Sequence, residues 1–277
     1  MLRRWLPRGR KIGPPGPIHP ATVGDTVIDR RIARSTLLAC LVAVGAGLLS
    51  ASPAGAQERS SREAVAVAEG LGHLGATLRA YGQIGQQVEE GAAAELLAQA
   101  RGAFDTMLAR LLRRGTRVLA AADAERLKQR WRSVRDATYT RPAPEIGALM
   151  SDIGEDIAAQ LRALVAEPPS GATSRLLFER AWQRQNLQWL AKEGIFGCWG
   201  DDLGRWAQMD LLKADFSRWL ATQEKQLTPV NWVQFNAQWN LLTTSLPREG
   251  TRGCTRQSMK SLVETADRLV RMIAAQP

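Results

Sequence analysis

Histidine is almost missing from this chain: of two in 277 residues, only His73 lies beyond residue 56. Cys-x-x-Cys, His-Glu-x-x-His and the Cys-x-x-Cys-His haem attachment signature do not occur, so neither a metal site nor a cofactor is expected. Alternating β-branched runs are also wanting, which excludes a phosphate loop that needs a strand before it. Gly70, Gly72 and Gly75 fall within a helical pattern, where they suit close packing. The acidic pairs Glu155-Asp156 and Asp201-Asp202 are of the kind found on helix surfaces and termini. With no paired carboxylates placed for acid–base work, the chain is not expected to be an enzyme.

Charge is present but unevenly placed. Of the net +10, a surplus of +6 lies in residues 1–56, where eight basic side chains face only Asp25 and Asp29. Residues 57–167 carry 15 basic and 15 acidic groups, and the remainder holds Lys and Arg only as scattered singles. No clustered basic face for nucleic acid is therefore expected.

Arg30, Arg31 and Arg34 precede an apolar run from Leu37 to Leu49, followed by Ala54-Gly55-Ala56. That order is a signal peptide, with cleavage expected after Ala56 and the periplasm as destination. The run is too short for an ordinary membrane span, and residues 57–277 contain no second one. The Arg30-Arg31 pair raises twin-arginine export as an alternative, though its surroundings fit that pattern poorly. Leu37-Leu38-Ala39-Cys40 faintly suggests a lipoprotein box, but cleavage there would leave almost no apolar core to the leader.

Residues 57–277 are rich in Ala, Leu, Arg, Glu and Gln, the composition of helices. Eight are predicted, over 59–88, 92–114, 121–138, 144–166, 172–199, 203–226, 229–245 and 253–275, and the 168–171 linker divides them four and four. The fold class expected is all-α, with two tandem antiparallel four-helix bundle repeats over 57–167 and 172–277. Duplication is suggested by landmarks that keep their order. Phe104 to Ala109 aligns with Phe216 to Ala221, Arg130-Trp131 with Gln238-Trp239, and Ile153 to Val165 with Leu262 to Ala274. Seven of nine tryptophans fall in the second half, where core packing is favoured over a partner surface.

In an up-down bundle the first helix ends where the fourth begins. Cys198 closes the fifth helix of the chain and Cys254 opens the eighth, so a Cys198–Cys254 disulfide is expected after export.

The fifth helix has one seam at Leu177, Ala181, Arg184, Gln188, Ala191, Ile195 and Cys198, and beside it an aromatic one through Phe178, Trp182, Gln185, Trp189, Lys192, Phe196 and Trp199. Arg184 and Gln188 interrupt the first where apolar residues would stand. An inward guanidinium must be paired, either with an internal carboxylate or with a small anion that its planar donors hold.

The segment from Arg180 to Glu193 resembles the first-helix motif of the type IV pili methyl-accepting chemotaxis transducer N-terminal domain, the PilJ-type domain. That motif reads approximately Ala-Gly-Arg-Gln-Arg-Met-Leu-Ser-Gln-Arg-Met-Ala-Lys-Glu. Gln183, Arg184, Gln188, Ala191, Lys192 and Glu193 match it in register, and Trp239 fits the family's third helix. Two of the motif's arginines fall on Trp182 and Trp189, its Met-Leu on Gln185-Asn186 and its Gly on Ala181. The resemblance implies a sensory module for a small oxyanion such as nitrate or nitrite. It adds Lys192 to Arg184 and Gln188 as ligand-binding candidates, and it implies an envelope partner protein to carry the signal. The anion that Arg184 and Gln188 would hold is expected inside the bundle or across a homodimer interface. The alternative is a structural or adaptor protein of the envelope that binds no small molecule.

Overall fold

The computed structural model describes residues 53–113, 119–165, 168–199, 203–248 and 254–276. Eight α-helices follow one another there: α1 (Pro53–Gly85), α2 (Glu90–Arg113), α3 (Ala121–Ala137), α4 (Pro144–Ala163), α5 (Ala172–Gly197), α6 (Leu203–Gln223), α7 (Pro229–Ser245) and α8 (Arg256–Ala274). No strand occurs among the described residues, and none of their helices is long and apolar enough to cross a membrane. Residues 1–52 of the expected leader lie outside the described residues, as do Asp201 and Asp202, while its expected cleavage site, Ala54-Gly55-Ala56, falls in the first turn of α1.

Local chemistry sets several helix ends. Pro144 and Pro229 occupy first-turn positions, where a missing N–H costs nothing. The Thr228 hydroxyl accepts from the Asn231 N–H, and Thr255 and Ser258 cap α8 reciprocally. The first helix stops at Gly85 because the following turn places Gln87 and Glu89 in the left-handed region, at φ 56° and 49°. Side chains of α8 hold that turn: Arg256 donates to Gln87 Oε1 at 2.8 Å and Lys260 pairs with Glu89 at 2.5 Å.

Within the first four helices, α1 packs on α2 and α4, and α3 on α4. Within the last four, α5 packs on α6 and α8, and α7 on α8. The most extensive helix contact is neither of these but α1 against α5. The two run parallel and in register: an added Cβ at Gly72 would stand 3.5 Å from Gln185 Cβ, and one at Gly82 would strike Ile195 and Phe196. At Gly75 it would come within 2.9 Å of the Trp189 ring, whose indole N–H donates to the Leu71 carbonyl at 2.9 Å. A side chain at 75 would thus force the helices apart, which is the physical use of glycine there.

Flanked by α1, α6 and α8, α5 is buried on every side from Gln185 to Gly197. Its early residue Leu177, read from the sequence as part of the seam, is instead half exposed, because it precedes the enclosed portion. Aromatic pairs fill the space between second and third helices in each set of four. Phe104 meets Trp131 at 4.3 Å between ring centroids, and Phe216 meets Trp239 at 4.5 Å.

Near one end of α5 the Cys198 and Cys254 sulfurs are bonded, at 2.11 Å. Beside Cys198, Val88 of the α1–α2 turn is buried with Ile195, Phe196, Met259 and Val263.

Candidate functional site

Burying α5 on all sides encloses its polar residues as well, and each must find a partner. Asn186 donates to Asp215 of α6 at 2.6 Å and to Gln183 at 3.3 Å, which leaves its carbonyl to accept from Gln185. Lys192 and Glu193, wholly buried, form an ion pair at 2.6 Å. The other Glu193 oxygen accepts from Arg205 of α6 at 3.3 Å, while Lys192 also reaches Glu155 of α4 at 3.0 Å. Arg205 donates to Ser151 of α4 as well. The rings of Trp189 and Phe196 lie 4.9 and 5.7 Å from the Lys192 ammonium, adding cation–π attraction where water is excluded.

Arg79 of α1 stands 113 residues before Lys192 and mirrors it. Its buried guanidinium makes a bidentate pair with Asp267 of α8, at 2.9 and 3.2 Å. Each of the two central helices therefore sends a cation to the last helix of the other set of four.

A separate feature opens where α1, α2, α5 and α8 meet. A groove of about 430 Å³ is lined by Glu69, His73, Gln99, Arg184, Gln185 and Gln188, with walls of alanine, glycine, leucine and valine. Two of the three sequence candidates, Arg184 and Gln188, meet there. Lys192 does not line it and is committed to Glu155 and Glu193. Lys192 was a candidate through the family resemblance alone, and the helices that enclose this turn of α5 put it in the interior instead.

Arg184 is half-buried and pairs with Glu69 of α1 at 3.2 Å through one terminal nitrogen. Its partner carboxylate stands 115 residues earlier on the helix beside it and is half exposed, so the pair lies at the edge of the groove and not in the interior. Three buried atoms of the lining lack a hydrogen-bonding partner: Arg184 Nε, Gln185 Oε1 and Gln188 Oε1. Sequence reasoning missed Glu69 and Gln185. A glutamate on a helix surface carries no signal of its partner, and Gln185 was assigned to the aromatic seam.

His73 lies beside both charges. Burial holds its imidazole below the ordinary value of 6.5, opposed by Glu69 and reinforced by Arg184. A base whose folded pKa is lowered binds fewer protons than in the unfolded chain, so its contribution is intact above about pH 6.5 and is lost as pH falls below it. Urea midpoints are expected to fall between pH 7 and 5, and His73→Gln should flatten that slope. An unchanged slope would remove His73 as the cause.

A second groove, of about 490 Å³, runs along α1 and α2 beside Arg62, Val67, Met107 and Arg110 and shares Glu69 and His73 with the first. None of the unpartnered buried atoms belongs to those four residues. Among the described residues no cluster of three or more His, Cys, Asp or Glu could hold a metal ion. Set against models of known families, curated proteins and solved structures, the chain matches none. The likeness to PilJ-type domains rests on the α5 residues and Trp239 of α7.

Proposed function

We propose that this protein is a periplasmic binding or sensory module that takes a small ligand by an oxyanion group, nitrate, nitrite or a carboxylate, and acts through a partner protein. The observation that carries it is the convergence of Arg184 and Gln188 on one groove, with Arg184 Nε unpartnered. A guanidinium and an amide present planar donors, the geometry that suits a planar oxyanion. The leader with its Ala54-Gly55-Ala56 site and the Cys198–Cys254 bond support an oxidising compartment beyond the inner membrane.

The architecture proposed with it is a duplicated PilJ-type four-helix bundle, over 57–167 and 172–277. Support comes from the Phe104–Trp131 and Phe216–Trp239 pairs and from the reciprocal reach of Arg79 and Lys192. Two half-sites thus share the α1–α5 seam, but only the α5 side brings an arginine and a glutamine, where α1 has Leu71 and Gly75.

Thermal-shift titration of the purified protein with nitrate, nitrite and acetate tests the reading. Stabilisation follows RT ln(1 + [L]/Kd), about 2.7 kcal/mol at one hundred times Kd, which for a chain this size raises the melting temperature by about 5–10 °C. The shift should vanish in Arg184→Ala. A shift that survives that substitution, or none with any anion, counts against the groove.

One observation favours the adaptor alternative. The α7 segment has no charged residue and leaves Val230, Val233 and Leu241 exposed along one stripe, a surface suited to a protein partner. Under that reading α7 substitutions abolish function while Arg184→Ala leaves it intact.

A further inference from the structure

We infer that the ligand of the Arg184 groove is a zwitterion, an α-amino acid with an apolar side chain, whose carboxylate meets Arg184 and whose ammonium meets Glu69. This rests on the oxyanion reading above and narrows it.

The charge of the lining is the first ground. Arg184 and Glu69 cancel, and His73, with its affinity for protons lowered by burial, adds no charge at neutral pH. A bare anion that drew Arg184 away would leave the Glu69 carboxylate uncompensated beside it. A ligand carrying both signs inserts into the pair and replaces each partner it displaces.

Hydrogen-bond polarity is the second. The amide of Gln185 is oriented by a chain of bonds: Asp215 fixes which end of Asn186 donates, Asn186 then accepts from the Gln185 NH2, and Gln185 Oε1 is left as an acceptor without a donor. Gln188 Oε1 lacks a donor as well, and both residues are at least nine-tenths buried. Nitrate, nitrite and acetate have no N–H to offer these oxygens, whereas an ammonium has three. Arg184 Nε supplies the complementary donor for the carboxylate.

The walls give the third. Ala68, Ala76, Leu96, Ala100, Ala103 and Val270 make up most of the remaining wall, with Gln99 its one further polar side chain and no further charge. Their small side chains leave room for an aliphatic group, which they would remove from water.

Isothermal titration of the full protein with L-leucine, 4-methylpentanoate, L-leucine methyl ester and sodium nitrate separates the cases. Leucine should bind about tenfold or more tightly than 4-methylpentanoate, which lacks the ammonium, and than the ester, which lacks the carboxylate. Glu69→Gln should reduce the preference for leucine over 4-methylpentanoate to near unity while the carboxylate still binds. Arg184→Ala should abolish binding of both. Unchanged far-ultraviolet circular dichroism and melting of each unliganded variant establish that it folds. If 4-methylpentanoate or nitrate binds as tightly as leucine, the zwitterion is overturned and the oxyanion reading stands. If the ester matches leucine, the carboxylate is not what is recognised and both fall, as they do if no probe binds.

Discussion

Glu193→Ala is expected to destabilise the protein by about 3–5 kcal/mol, the range for removing one partner of a buried ion pair. The size of the effect comes from what is left behind. Glu193 accepts from Lys192 at 2.6 Å with one oxygen and from Arg205 at 3.3 Å with the other, and both the lysine and the glutamate are sealed from water. Alanine strands the Lys192 ammonium with only Glu155, which is half exposed and bound at 3.0 Å. Lys192→Met should be milder, because Glu193 keeps Arg205, Glu155 can turn to solvent, and a thioether of similar length fills the space between Trp189 and Phe196. Urea denaturation of both variants measures the difference. A loss below about 1 kcal/mol for Glu193→Ala would mean that water reaches this network, contrary to its burial.

The second large effect concerns the cysteines. The Cys198–Cys254 bond closes a segment of 56 residues. A loop of that length corresponds to roughly 4 kcal/mol of chain entropy withheld from the unfolded state. Cys254→Ser, or dithiothreitol acting on the wild-type protein, should lower the melting temperature by about 8–16 °C for a chain this size. The loss should be felt at the α1–α2 turn too, since Val88 packs with Ile195 and Phe196 of α5 and with Met259 and Val263 of α8, whose meeting the bond secures. Dithiothreitol should have no further effect on the serine variant. Equal melting of reduced and oxidised protein would contradict the entropic account.

Helix positions were legible from local chemistry. The seventh helix spans 229–245 as its Thr228 cap and Pro229 dictate. At two ends that moved, a specific group moved them: α1 stops three residues short of 88 at the turn through Gln87 and Glu89, and α8 begins after the Thr255 cap rather than at 253. The cysteine pairing was legible too, since it needed only the order and direction of helices.

Neighbours were not. The spacing of Arg184 and Gln188 says that they share a face, and the sequence reading turned that face toward the core of their own four helices. In the fold it meets α1, where Gly72 and Gly75 leave room for it to come close. Periodicity specifies which side of a helix is buried, not which helix buries it. The same gap hid Glu69 as the partner of Arg184, and the motif match that made Lys192 a ligand candidate carried no sign that the neighbouring helices enclose it. Glutamates 155 and 193 looked alike as sequence, yet one is half exposed and the other wholly interior.

The central claim is that the groove beside Arg184 is a ligand site, and side-chain NMR reports on it most directly. During titration with L-leucine, the Arg184 Nε–H signal and the Gln185 and Gln188 side-chain amide signals should shift together along one saturable curve, while the Trp232 indole signal of α7 stays fixed. Leucine added to saturation with those groove signals unmoved would contradict the claim.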